Sequence, residues 1–256
     1  MIKLFVSDVD GTLLLKDKEQ IDKSVFDAIK KLKEAGIKTA AASGRTYGSL
    51  EKLFYPVKDG MYFIGCDGAV TVLDDKVLYT RQISMSDVFT VINSDMYKDC
   101  GVIVCCPKKS YILRGSEKVA KLVYEQTLEN PEPIFKLYGL TEPICKICVF
   151  SDSGNISYLP FMPKSLRVSY LSKNWCEYTS VISDKGLAVS DLQMRLYLSK
   201  FDTACMGDGI NDVVMMKKAS IAVSANNAYD KLKEICMYHT DDAAGFMENV
   251  ASGIVK

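Results

Sequence analysis

The sequence predicts an α/β protein whose mostly parallel sheet is interrupted by an α+β insertion. Three observations carry that prediction. The first 45 residues read strand, helix, strand; the middle of the chain groups strands next to one another; the last third returns to alternation. Alternating strands and helices build parallel βαβ units, whereas clustered strands with helices between pairs build an antiparallel sheet.

Taken in order, residues 2–7 form an apolar strand. "DKSVFDAIKKLKEAG" places Val25, Ile29 and Leu32 on one helical face and Gly36 at the stop position. "IKTAAAS" is a second strand ending at Ser43-Gly44-Arg45, parallel to the first because a helix joins them. "VTVL" and "KVLY" flank Asp74-Asp75 as a tight hairpin. From about 81 to 181 the pattern predicts a helix near 86–98, strands at 102–106 and 110–114, a helix at 116–128, and strands near 144–150, 166–171 and 175–180. That order predicts an antiparallel sheet with helices on one face. Beyond it, "LAVSDLQMRLYL" is a helix, "TACMG" a strand, "NDVVMMKKA" a helix, "IAVSA" a strand and "AYDKLKEIC" a helix. The expected division is a core of residues 1–80 and 182–256 around an insert of 81–181, with no internal repeat.

Composition narrows the function. With 48% hydrophobic and 25% charged residues in 256, the chain is neither disordered nor fibrous. Lys plus Arg equals Asp plus Glu at 32 each, and the run from Lys16 to Lys33 is broken by acids, as on a solvated helix face. No nucleic-acid partner is expected from that balance. The apolar run from Ile2 to Val6 is too short for a signal peptide and is cut off by Asp8 and Asp10. No stretch approaches the about 18 apolar residues of a membrane helix. A cytoplasmic protein, monomeric or weakly homodimeric, is expected. Nine cysteines are an odd number, and Cys145 and Cys148 stand three apart in the strand-like "PICKICVF". Such residues face opposite sides, so buried thiols in a reducing compartment are expected rather than a bridge or metal clip. His239 is the sole histidine, which leaves a Ser-His-Asp or His-rich zinc mechanism without material.

One stretch, "FVSDVDGT", runs an apolar strand into two aspartates. In an open parallel sheet, ligands bind beyond the carboxyl ends of the strands. Asp8 and Asp10, at i and i+2, can face one small volume there, and a divalent cation is the simplest answer to their repulsion. "GDGIND" brings Asp208 and Asp212 to the end of another strand, where Asn211 and Asp212 open a helix with its positive dipole end. Convergent carboxylates make a hard-oxygen site suited to Mg²⁺ rather than zinc. Ser43 offers a hydroxyl in the same layer, and Gly11 and Gly44 let backbone approach a bulky anion. Metal, carboxylate nucleophile and anion donors together fit phosphoryl transfer. One aspartate attacks phosphorus; the other protonates the leaving oxygen and later activates water. Lys185, in "SDKGLAVSDL", is the natural cation for the phosphoryl oxygens. A calcium loop is set aside: Glu19 falls at position 12 from Asp8, but Leu13 stands where such a loop needs glycine, and a strand precedes it.

"DVDGT" at 8–12, "ASGR" at 42–45, "DKG" at 184–186 and "GDGIND" at 207–212 resemble, in order, the four motifs of the haloacid dehalogenase superfamily. The position of the insert, and Glu177 within it, are similar to the Cof-like sugar-phosphatase branch with its large α/β cap. The resemblance implies a Rossmann-like core and a Mg²⁺-dependent phosphatase acting on a small phosphorylated metabolite. It implies Asp8 as nucleophile, Asp10 as acid/base, and Ser43 and Lys185 as holders of the phosphoryl group. Gly11, Thr12, Gly44, Arg45 and Asn211 would border phosphate or substrate, Asn211 alternatively orienting Lys185. Asp8, the backbone carbonyl of Asp10 and Asp208 would hold the metal, with Asp212 supporting the loop or a metal-bound water. Hinges near 80 and 182 would let the cap close. Three departures bear on substrate choice: Asp67-Gly68-Ala69 in place of Asn-Gly-Ala, the weakened "DDAAGF" at 241–246, and an extra residue before Asn227-Ala228 in "VSANNA". A dehalogenase would not need Asp10, and a P-type ATPase would show membrane spans. A phosphomutase and a non-catalytic phospho-acceptor module remain as alternatives.

Overall fold

The computed structural model describes residues 1–15, 18–115, 117–127, 129–152 and 154–255. Lys16, residues 116 and 128 at the limits of the expected second insert helix, and residue 256 lie outside the described residues. The first part of the chain runs β1 (Leu4–Asp8), α1 (Lys23–Glu34), β2 (Lys38–Ala42), α2 (Tyr47–Leu53), β3 (Tyr62–Gly65), β4 (Val70–Leu73) and β5 (Lys76–Thr80). The insert contributes α3 (Met85–Ile92), β6 (Gly101–Cys105), β7 (Ser110–Arg114), α4 (Glu117–Thr127), β8 (Glu132–Pro133), β9 (Lys146–Phe150), β10 (Leu166–Leu171) and β11 (Trp175–Ser180). The last part adds α5 (Lys185–Leu196), β12 (Thr203–Gly207), α6 (Val213–Met216), β13 (Ile221–Ala225), α7 (Asp230–Lys233), β14 (Tyr238–Thr240) and α8 (Ala243–Ala251).

Eight strands form the first sheet in the order β14-β13-β12-β1-β2-β3-β4-β5. It is parallel from β14 to β3, and the β4–β5 hairpin is antiparallel. Both faces are covered, which is why β1 reads as a continuous apolar run. Leu4 and Val6 pack under α5 with Ala188, Val189 and Leu192, while Phe5 packs with Val25, Ile29 and Leu32 of α1 and Met247 of α8. The chain builds outward from β1 in both directions, through β2 and β3 on one side and β12 and β13 on the other. β1 is therefore the switch point, where a crevice opens beyond the strand ends.

The second sheet has the order β10-β11-β9-β6-β7-β8 and is antiparallel except for the β7–β8 pair. Its helices do not share one face, contrary to the sequence expectation. Val88, Val91 and Ile92 of α3 pack with Val102, Val104, Ile147 and Val149, whereas Val119 and Val123 of α4 join Ile103, Cys105, Cys148 and Phe150 on the alternate residues. The physical reason is β8: a two-residue strand parallel to β7 makes α4 a crossover helix, whose side is fixed by the right-handed rule.

Several expected elements are shorter. α3 ends at Ile92 and a 3₁₀ turn takes Asp95–Tyr97; "NDVVMMKKA" yields a 3₁₀ turn and the four residues of α6; "AYDKLKEIC" yields only α7. Beyond α6, Lys218 and Ala219 donate to carbonyls three residues back, tightening the helix into a turn. Cys145 precedes β9, so strand alternation does not reach it; it is buried in the same cluster as Cys148, and all nine cysteines are free. Among the described residues no helix is long and apolar enough to cross a membrane.

Candidate active site

The register of the first sheet places Asp8 beside Ala42 of β2 and Ser7 beside Met206 of β12. The loops that follow these strands thus leave the sheet at one level. Asp8, Asp208 and Asp212 bring carboxylate oxygens within 4.8 Å of one another. Lys185, at the start of α5 and with its side chain 1% exposed, donates to Asp8 Oδ1 at 2.5 Å and to Asp212 Oδ1 at 2.6 Å. One ammonium thus faces three buried or half-buried carboxylates.

Electrostatics follow from that imbalance. Burial, then repulsion from Asp212, pushes the Asp8 carboxyl well above the usual carboxylate range despite Lys185. Asp208 is raised for the same two reasons. Burial pulls Lys185 toward its neutral form, but Asp212 and Asp8 together outweigh it and hold its pKa above the ordinary lysine value. A cluster of hard oxygens with more negative charge than its lysine cancels is the donor set a divalent cation such as Mg²⁺ fits.

The surrounding contacts refine the expected roles. Asp212 does not cap its own helix; its Oδ2 accepts the backbone N–H groups of Asp208 at 3.1 Å and Gly209 at 2.9 Å. It therefore shapes the loop that carries Asp208. The Thr12 hydroxyl donates to Asp8 Oδ2 at 3.2 Å and Asp208 Oδ1 at 3.4 Å. Gly11, at φ +87°, is a carboxylate approach rather than open space for an anion: a methyl there would lie 2.2 Å from Asp208 Oδ2. Asn227, in the sequence departure at 223–228, donates to the Gly11 carbonyl at 3.0 Å and braces this turn. Gly44 likewise abuts a carboxylate, that of Asp67, 3.3 Å from where its Cβ would stand. Asn211 donates to Asp67 at 3.4 Å rather than to a partner of Lys185, whose orientation comes from Asp8 and Asp212.

Asp10 leaves the carboxylate cluster. Its Oδ1 accepts from Arg45 Nη2 at 2.7 Å, its Oδ2 from Arg45 Nε at 3.0 Å and from the Ser43 hydroxyl at 3.1 Å. The i, i+2 argument expected both side chains in one volume; the Arg45 fork holds the second one at the rim, 48% exposed.

Sequence reasoning missed two insert residues that reach this loop. Lys146 of β9 donates to the Gly44 carbonyl at 2.6 Å and pairs with Glu177 at 3.0 Å. Buried Glu129 accepts the Thr46 N–H at 3.1 Å, the Thr46 hydroxyl, and the Ser110 hydroxyl at 2.6 Å. The signal for Lys146 was its place in an otherwise apolar alternating strand; Glu129 gave none. Between loop 44–46 and the insert lies a cavity of about 20 Å³, room for about one water, bordered by Arg45, Lys146, Trp175 and Glu177.

Comparison with known proteins places this geometry. The family model of haloacid dehalogenase-like hydrolases matches residues 5–246. The 5-amino-6-(5-phospho-D-ribitylamino)uracil phosphatase YbjI of Escherichia coli is 24% identical, covering 89% of this chain and 86% of its own. Phosphoglycolate phosphatase 1 of Saccharolobus solfataricus is 25% identical, covering 96% and 92%. Among solved structures, TM0651 of Thermotoga maritima superposes with a TM-score of 0.85 at 22% identity over 100% of this chain and 98% of its own. A haloacid dehalogenase-like hydrolase from Bacteroides thetaiotaomicron gives 0.83 at 19% identity, over 98% and 100%.

Proposed function

The chain belongs to the haloacid dehalogenase-like hydrolase family, and from that premise we propose that it is a Mg²⁺-dependent phosphatase that hydrolyses small phosphate monoesters through an aspartyl-phosphate on Asp8. The observation that carries this reading is the unbalanced cluster at the switch point, three carboxylates against one buried lysine. Asp8, Asp208 and the backbone carbonyl of Asp10 would hold the ion, with Asp212 fixing the loop. When bound, the cation would supply positive charge that favours the ionised form of Asp8 and offsets charge on the phosphoryl oxygens.

Each remaining role belongs to a side chain already described. An Asp8 oxygen bonds to phosphorus while the ester P–O bond breaks, and the leaving oxygen takes its proton from Asp10. Lys185 and the Ser43 hydroxyl stabilise the phosphoryl oxygens as charge shifts between them. Water then attacks the phosphorus of the aspartyl-phosphate, losing a proton to Asp10, and inorganic phosphate leaves with Asp8 restored. The insert of residues 81–181 acts as the cap that encloses the leaving group and excludes water. Proteins named as phosphatases of a phosphoribitylamino-uracil and of phosphoglycolate support the small-monoester class. The free, largely buried cysteines support a reducing, cytoplasmic setting.

The test is a panel of about a hundred phosphate monoesters assayed for inorganic phosphate. We expect release with Mg²⁺, none in EDTA, and recovery when Mg²⁺ is restored. Turnover that is indifferent to chelation would overturn the metal site. Conversion of a sugar phosphate to its isomer without free phosphate would assign a phosphomutase instead, and a persistent aspartyl-phosphate without turnover would assign a phospho-acceptor module.

A further inference from the structure

On β9, Ile147 and Val149 pack with α3, and Lys146, Cys148 and Phe150 point to the face that meets the core. A lysine 5% exposed on that face loses its hydration and must find acceptors. Burial works against its ammonium, yet Glu177, joined by Cys148, Cys105 and Asp67, outweighs the loss and keeps its pKa above the ordinary lysine value. Glu177 would be enough to neutralise it; the ammonium nonetheless also reaches the carbonyl of Gly44, across the joint between the two sheets. Glu129 crosses the same joint to the N–H and hydroxyl of Thr46. The insert thus holds the residues on both sides of Arg45.

Arg45 in turn holds Asp10, which has little else to fix it. The Asp10 carboxylate is half exposed and accepts from the Arg45 fork and the Ser43 hydroxyl. We propose that Lys146 and Glu129 are positioning residues for the second half of the reaction: seated on the core, they set loop 44–46 so that Arg45 holds Asp10 where it takes a proton from the attacking water. In that step the water oxygen bonds to phosphorus, the P–O bond to Asp8 breaks, and the water proton goes to Asp10. The proposal rests on the phosphatase reading above.

Pre-steady-state kinetics with p-nitrophenyl phosphate separate the two halves, because nitrophenolate leaves without a proton and kcat/KM reports only the steps up to its departure. For Lys146→Met we expect kcat to fall at least ~10-fold, as for a small misplacement of a reacting group, with KM falling in step. kcat/KM then stays within about 2-fold, and a burst of about one nitrophenolate per enzyme appears. Lys146→Arg restores kcat. Should Lys146→Met fail to fold, Glu129→Gln carries the same expectation from the other anchor. Equal losses in kcat and kcat/KM, or no change in either, in the folded variants overturn the proposal, since a loosened structure would slow both halves. A wild-type enzyme that releases no nitrophenolate overturns the phosphatase reading itself.

Discussion

The core and the insert each bury a lysine among acceptors, and the two sites are built to opposite balances. Lys185 in the core meets Asp8 and Asp212, with Asp208 beside them. Lys146 in the insert meets one carboxylate, Glu177, and one neutral carbonyl, Gly44. Buried charge is costly unless paired. The insert site is complete as it stands and joins two parts of the chain. The core site, with its three carboxylates ionised, is two charges short of neutral, a deficit that a divalent cation could fill. Burial of a charged residue therefore does not by itself mark a ligand site; the sign and size of what is left unpaired does.

The largest effect tests the core side of this contrast. Asp8→Asn keeps the shape of the side chain and removes both the proposed nucleophile and one negative charge from the cluster with Asp212 and Asp208. We expect kcat to fall at least ~10³-fold, while the urea midpoint stays level or rises. Activity retained within a few-fold would mean that the unbalanced cluster is not the reacting centre.

A smaller effect is expected at Gly11. Its φ of +87° is one that residues with a Cβ rarely adopt, and the added methyl of Gly11→Ala would meet Asp208 Oδ2 at 2.2 Å. The Asp208 carboxylate must shift from its present place beside Asp8. We expect kcat to drop on the order of 10²-fold, as for a displacement near 1 Å, and the Mg²⁺ concentration for half-maximal activity to rise. Lys146→Met should leave that concentration unchanged. If both variants shift it equally, the two lysine sites are not independent and the contrast fails.

The core was more legible than the insert for a physical reason. In a parallel sheet the chemistry sits on loops at the strand ends, so Asp8, Ser43 and Asp208 announce themselves as polar residues that stop apolar runs. Their register then brings them to one level without further information. Finer placement was not legible. The i, i+2 rule holds only while the chain stays extended, and the Arg45 fork takes Asp10 elsewhere. Asn211 turned to Asp67, whose identity the motif did not anticipate. In the insert, "PICKICVF" shows a lysine in step with Cys148 and Phe150, but nothing local says which sheet face meets the core. The two-residue β8 carries too little pattern to be seen, and with it went the side on which α4 packs.

The smallest effect reads the joint between the two regions directly. Thiol reagents attack the thiolate, and burial pushes Cys106 up to about 12 and Cys236 up to about 11. Cys148 is raised well above the usual thiol range by burial and by Cys105, whose Sγ lies 4.0 Å away on the face that meets the core. Because these pKa values stand above the pH, these three thiols are almost wholly protonated at pH 8 and should label slowly. The half-buried core residue Cys236 should react before Cys148, and all nine cysteines should react after denaturation. Lys146→Met should speed labelling of Cys148 by only about 2- to 5-fold, the cost of one hydrogen bond at the joint, and leave Cys236 unchanged. Rapid labelling of Cys148 in the wild-type protein, followed by mass spectrometry of its peptide, would show an insert that is not seated on the core. Lys146 would then have no hold on Gly44.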